Sequence, residues 1–304
     1  LSPTALVALA AFSGLAFACI GLAYRAAHAR EVSAMHVALA ICIPGVVFFG
    51  LAARGSSPSA VPAVVWVLAV AAGAGQYVTL RMVGPALRRG PLSAMWCAVN
   101  LNFAMAIGYA RLFLGERIST LGYAGALAAA ACVLTASLGQ QSPEEARPRP
   151  AGAQLSYGAI LLTILLANGL WMTGIKHLSA QALPDGRSDM TAFGNWFAMG
   201  VYLLLGLLIL GDLLLARRAV PPAAPWLATG AFAAVGSVAG MWALGVCSPL
   251  PAAVVFTLNS VVSLLTTALV AAIAFREQRT PSWYGTVALA VVAVVLVNAP
   301  TAMR

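Results

Sequence analysis

Long apolar runs separated by short polar breaks cover almost the whole chain. They fall near residues 4–27, 33–53, 61–87, 91–111 and 119–139, and again near 155–177, 191–215, 222–246, 250–274 and 281–298. A helix needs about 20 apolar residues to cross the hydrocarbon core of a bilayer, and each run approaches or exceeds that length. The pattern predicts an all-α membrane protein with ten transmembrane helices. No basic segment precedes the first run, so it is read as a spanning helix and not as a cleaved signal peptide.

The break between the fifth and sixth runs, QQSPEEARPRPAG (Gln140 to Gly152), has three prolines, charges of both signs and no apolar periodicity. It predicts a linker over 140–154 between a five-helix set at 1–139 and a second at 155–304. Five is odd, so two sets sharing one fold must insert in opposite senses. That is the inverted-repeat architecture of many secondary transporters, built around a central cavity.

Composition agrees with a lipid environment. Of 304 residues 62% are hydrophobic and 8% charged, against roughly a quarter charged in soluble domains. The formal net charge of +9 does not point to nucleic acid, because the basic residues fall singly or in pairs between apolar runs and form no basic helical face. The five cysteines, Cys19, Cys42, Cys97, Cys132 and Cys247, lie in or at the ends of apolar runs without a CxxC partner, so neither a disulfide framework nor a metal site is expected. No cofactor is expected either.

Internal repetition is visible in short stretches. GPLSA (Gly90 to Ala94) and SPLPA (Ser248 to Ala252) each open the fourth run of their set. Two charged elbows, LFLGERISTLGYAG (Leu112 to Gly125) and AFREQRTPSWYG (Ala274 to Gly285), each join the fourth run to the fifth. From Pro91 to Glu116 is 25 residues and from Pro249 to Glu277 is 28. Each elbow places a hydroxyl three residues after its glutamate, Ser119 or Thr280, suited to capping the next helix. Pro281 suits a first helical position.

These features resemble the drug/metabolite transporter superfamily in its ten-helix EamA-type form, over nearly the whole chain. Within it the chain is most similar to the YddG-type exporters of aromatic and other amino acids. The second elbow departs from the pattern in having Arg276 where the first has Gly115. The resemblance implies a multi-pass protein of a bacterial inner membrane that works as a monomer, exports small metabolites and keeps both termini in the cytoplasm. The distribution of basic residues points the other way. With the N-terminus inside, six fall in inner loops (Arg54, Arg111, Arg117, Lys176, Arg187, Arg304) and ten in outer loops (Arg25, Arg30, Arg88, Arg89, Arg147, Arg149, Arg217, Arg218, Arg276, Arg279).

Polar groups inside the runs mark candidate paths for substrate, since such groups are costly in lipid. Tyr77, Arg81, Gly84 and Arg88 share one face of the third run. Arg81 either faces a cavity or snorkels to the headgroups. Trp96, Asn100 and Phe103 share a face of the fourth run, and Asn168, Trp171 and Ile175 one of the sixth. Ser13, Phe17 and Tyr24 lie in the first, Asn259, Ser263 and Thr266 in the ninth, and Met241 and Trp242 late in the eighth. The candidate substrate-binding set is Phe17, Tyr77, Arg81, Trp96, Asn100, Asn168, Trp171, Trp242 and Asn259. Interhelical hydrogen bonding is an equal reading for each asparagine, and an interfacial belt for each tryptophan. Gly73, Gly236 and Gly240 are read as close-packing positions. Aromatic walls, amides and one guanidinium would suit a zwitterion with an apolar side chain.

The eight acids and three histidines all map to loops or run ends, which gives no mid-membrane proton carrier, and no ATP-binding motif is present. The expectation is facilitated diffusion or exchange by alternating access, with a proton-coupled exporter of drugs or other metabolites as the alternative. A membrane enzyme is disfavoured, because no serine and histidine share a depth and no acid-rich magnesium site is evident. A channel or scaffold is the remaining class.

Overall fold

The computed structural model describes residues 1–28, 30, 32–89, 98–138, 151–181, 189–216, 223–274 and 281–302. Ten helices of eleven residues or more run through them: α1 (Pro3–His28), α2 (Ala34–Ala52), α3 (Ala63–Arg89), α4 (Phe103–Phe113), α5 (Thr120–Leu138), α6 (Ala151–Ala180), α7 (Asp189–Leu215), α8 (Ala223–Cys247), α9 (Ala252–Ala274) and α10 (Pro281–Ala302). There is no strand among the described residues. Seven helices, α1 to α3 and α6 to α9, are long and apolar enough to cross a membrane. The apolar stretches of α5 and α10, Thr120–Thr135 and Tyr284–Leu296, are shorter. Large apolar side chains at the periphery, such as Val235 at 72% and Leu127 at 70% exposed, need lipid around them. The molecule is an all-helical integral membrane protein.

Local chemistry sets several helix ends. The Ser33 hydroxyl accepts the Met35 amide at the start of α2. The Ser119 hydroxyl accepts the Gly122 amide at 3.0 Å at the start of α5, the cap expected from the elbow. α4 stops at a C-cap on Leu114. Gly115 follows with φ of 65°, a left-handed conformation that glycine adopts without steric cost. Pro281 opens α10 as expected, whereas Thr280, Arg276 and Glu277 lie outside the described residues.

Two expectations are corrected. The fourth run is not one uninterrupted helix. Residues 98–100 are helical, Leu101 and Asn102 form a turn, and α4 starts at Phe103. The physical reason is a side chain inserted into the backbone ladder. Asn168 of α6 donates its Nδ2 to the Val99 carbonyl at 3.0 Å, the oxygen that Phe103 would use in a continuous helix. The chain re-forms its ladder with tighter bonds, Ala104 to Leu101 and Met105 to Asn102. The predicted linker also ends early, because α6 starts at Ala151; residues 140–150 of it lie outside the described residues.

Helices pair mainly between the first five and the last five. α1 packs chiefly on α8 and α9, and α6 on α3 and then α4. α2 packs on α7 and α8, α7 on α2 and α3, and α5 and α10 on each other. Exchanging the first five helices for the last five maps this set of pairs onto itself, α2–α7 and α5–α10 each returning to the same pair. Two glycines show how tight the contacts are. A Cβ on Gly75 of α3 would overlap the carbonyl oxygen of Ala167 in α6, and one on Gly236 of α8 would overlap that of Ala16 in α1. Without a hydrophobic force between helices in lipid, such small-residue contacts bring backbones close enough for dispersion to hold them.

Candidate functional site

The inner faces of α1 and α6 meet through aromatic rings. Phe17 and Trp171 lie edge to face, with ring centroids 5.3 Å apart at 75°. Both are half-buried. α1 and α6 are not among the helix pairs that pack extensively, so the two rings span the gap between these two helices. Phe17 rests on Gly240 of α8, where a Cβ would lie 3.0 Å from its ring.

One turn before each ring sits a buried polar residue bonded to a neighbouring helix. Before Phe17 is Ser13, whose hydroxyl accepts Nδ2 of Asn259 in α9 at 2.7 Å and donates to the Ala10 carbonyl at 2.8 Å. Before Trp171 is Asn168, which accepts Nε2 of Gln76 in α3 at 2.9 Å while holding the Val99 carbonyl. Ser13, Asn168 and Asn259 are 0%, 5% and 3% exposed. Their visible work is therefore to join helices and fix the backbone that carries the rings. The amide Gln76, which the spacing of Tyr77 and Arg81 passes over, belongs to this network. Its signal in the sequence is a polar residue in the middle of an apolar run.

Other candidates fall elsewhere. Tyr77 is half-buried on α3, and Asn100 is half-buried in the helical residues before the turn at Leu101 and Asn102. Trp96 lies outside the described residues. Arg81 is bound to Asp212 of α7 by an ion pair of 2.9 Å, with its side chain 46% exposed. α3 and α6 run antiparallel, with Gly75 beside Ala167 and Leu68 near Gly174. Arg81 is therefore offset from Trp171 by about 15 Å along the axis, ten residues at 1.5 Å each. It does not join the aromatic pair. Trp242 is 46% exposed and shares a stripe of α8 with Phe232 at 50% and Val235 at 72%. A continuous stripe of large exposed apolar groups suits a lipid-facing surface, and Trp242 stands on that stripe.

At the opposite side of Trp171 from Arg81 lies a second charged cluster. Lys176 of α6 is 5% exposed. Its Nζ is 2.8 Å from Glu116 Oε2 and donates to the Leu250 carbonyl at 3.0 Å. Glu116 Oε1 accepts the amide of Ala252, the first residue of α9, at 2.7 Å. The neighbouring His177 Nδ1 shares a 2.6 Å hydrogen bond with the Tyr109 hydroxyl of α4. The elbow glutamate thus contacts the SPLPA segment of the other set of helices. Sequence spacing places Lys176 at a run end and gives no sign that it is buried.

Comparison with known proteins bears on the fold. No protein-family model matches the chain, and no curated protein matches it. A solved crystal structure, described only as that of a protein, superposes with a TM-score of 0.76 over 99% of both chains at 18% sequence identity. The arrangement of helices is thus one already seen in a crystal, over the full extent of both chains.

Proposed function

We propose that the chain is a secondary transporter of the EamA-type drug/metabolite kind, built as two inverted five-helix repeats. It moves small metabolites, neutral and aromatic amino acids foremost, by alternating access. The observation that carries this reading is the exchange symmetry of the helix pairs, in which the first five helices meet the last five as the last five meet the first. Such an arrangement gives a central path two equivalent ways to open, one on each side of the membrane. The Phe17 and Trp171 rings, one from each set, stand where a substrate between the sets would meet them. Their faces and edges suit an apolar side chain or an ammonium group.

Transport is uncoupled or by exchange in this reading, because the charged side chains described nearest the rings' helices, Arg81 and Lys176, are engaged in ion pairs toward opposite ends. The test is counterflow in proteoliposomes containing the purified chain. Labelled neutral amino acid is expected to enter faster when the same amino acid is inside, and to saturate. Accumulation above equilibrium driven by an imposed pH gradient would favour the proton-coupled alternative, and a linear, unsaturable flux would overturn the transporter reading in favour of a channel.

A further inference from the structure

The geometry points to a releasable clasp: Glu116 and Lys176 hold the α4–α5 elbow onto the start of α9, and their separation is the step that opens this face of the bundle. The inference rests on the alternating access proposed above. Glu116 comes from the first set, while Lys176, Leu250 and Ala252 come from the second. Both carboxylate oxygens are engaged, one by the Lys176 ammonium and one by the Ala252 amide. The carboxylate also meets the positive end of the α9 dipole. Lys176 is 5% exposed, and its Nζ is matched there by the Glu116 carboxylate and the Leu250 carbonyl.

Beside the apolar packing of Leu114 and Ile118 on the core, Glu116 supplies the polar bonds described from the elbow to the second set. Leu112 and Phe113 just before it point away, at 78% and 74% exposed. Gly115 faces open space, with nothing within 4 Å of a Cβ built on it. The polar part of the attachment between the elbow and the second set is therefore concentrated in one carboxylate, while α4 and α5 also pack on α9. Ion pairs of this kind release as a unit, because losing either partner leaves a buried charge unmatched. The clasp sits on α6 five residues beyond Trp171, about 7.5 Å along the axis, so its release would uncover the side of the path next to the aromatic pair.

A reporter is built into the chain. Cys247, the last residue of α8, is fully buried and its carbonyl accepts the Leu250 amide at 3.1 Å, directly behind the carbonyl that Lys176 grips. Cys42 in α2 and Cys132 in α5 are also buried, in helix pairs away from the clasp. Alkylation by N-ethylmaleimide is followed by peptide mass spectrometry on the full chain in lipid nanodiscs, for the wild type, Glu116→Gln and Lys176→Met. Both variants are expected to raise the Cys247 rate by about tenfold, as a local opening does, with Cys42 and Cys132 unchanged. An unchanged Cys247 rate in both variants overturns the clasp. An equal rise at all three thiols also overturns it, since the ion pair would then serve the whole fold. The assay reads no transport, so a failure of counterflow with a responsive Cys247 would remove the transporter reading and leave the clasp.

Discussion

The side-chain amide of Asn168 in α6 reaches the Val99 carbonyl at 3.0 Å and thereby interrupts the fourth apolar run. The same side chain accepts Gln76 of α3. One residue thus ties three segments together and decides where α4 begins.

Replacing Asn168 with leucine is expected to lower stability by about 1–2 kcal/mol, because Gln76 and the Val99 carbonyl lose their partner in an apolar setting. A lowered thermal unfolding midpoint in detergent checks this. Gln76→Leu added to Asn168→Leu should cost less than the sum of the two single changes. Strict additivity would show that the two amides act independently.

Gly75→Ala and Gly236→Ala should each destabilise by about 1–3 kcal/mol, since the new methyl overlaps a carbonyl that belongs to a packed helix. Gly158 and Gly211 have nothing within 4 Å of an added Cβ. Alanine there should be neutral or stabilising by roughly 0.5–1 kcal/mol, the helix-propensity difference. Unfolding midpoints of the four variants, compared in one detergent, test the contrast.

Phe17→Ala and Trp171→Ala should each raise the half-saturation concentration in counterflow, and the double variant should do so by less than the product of the two. The edge-to-face contact is worth about 0.5–1.5 kcal/mol, which sets a coupling of about two- to tenfold. Independent effects, multiplying fully, would place the two rings on separate parts of the path.

Trp242→Leu and Arg81→Ala should leave half-saturation within about twofold. Trp242 belongs to the outward stripe, and a partly exposed ion pair such as Arg81–Asp212 contributes about 1 kcal/mol or less. A marked loss of affinity in either variant would return that residue to the substrate path.

Much of the architecture was legible in the hydrophobic pattern, because spans in lipid must satisfy their backbone internally and so read as long apolar runs. The ends of α1, α2 and α3 fall within two residues of the boundaries read from sequence. The interruption at Leu101–Asn102 was not legible, because it depends on a side chain 66 residues after Asn102 in sequence. Phe17, Asn168 and Trp171 were legible as residues but not as a set, since helical periodicity gives a face without saying which face of which helix it meets. The expected Ser119 cap appears because capping is local. Glu116 was read as part of a charged elbow between two runs, and its contact with Ala252 could not be seen from spacing, as it joins points 136 residues apart.

The α5–α10 pair carries a mechanical consequence. Each of its helices belongs to a different set of five, and they lie along each other with the Cys132 thiol donating to the Thr286 carbonyl and Gly285 against Thr135. The two sets of five are thus fastened to each other here as they are through α1 with α8 and α3 with α6. Sliding one of these helices along the other would break the Cys132 bond to the Thr286 carbonyl and move Gly285 off Thr135, so the pair resists axial shear.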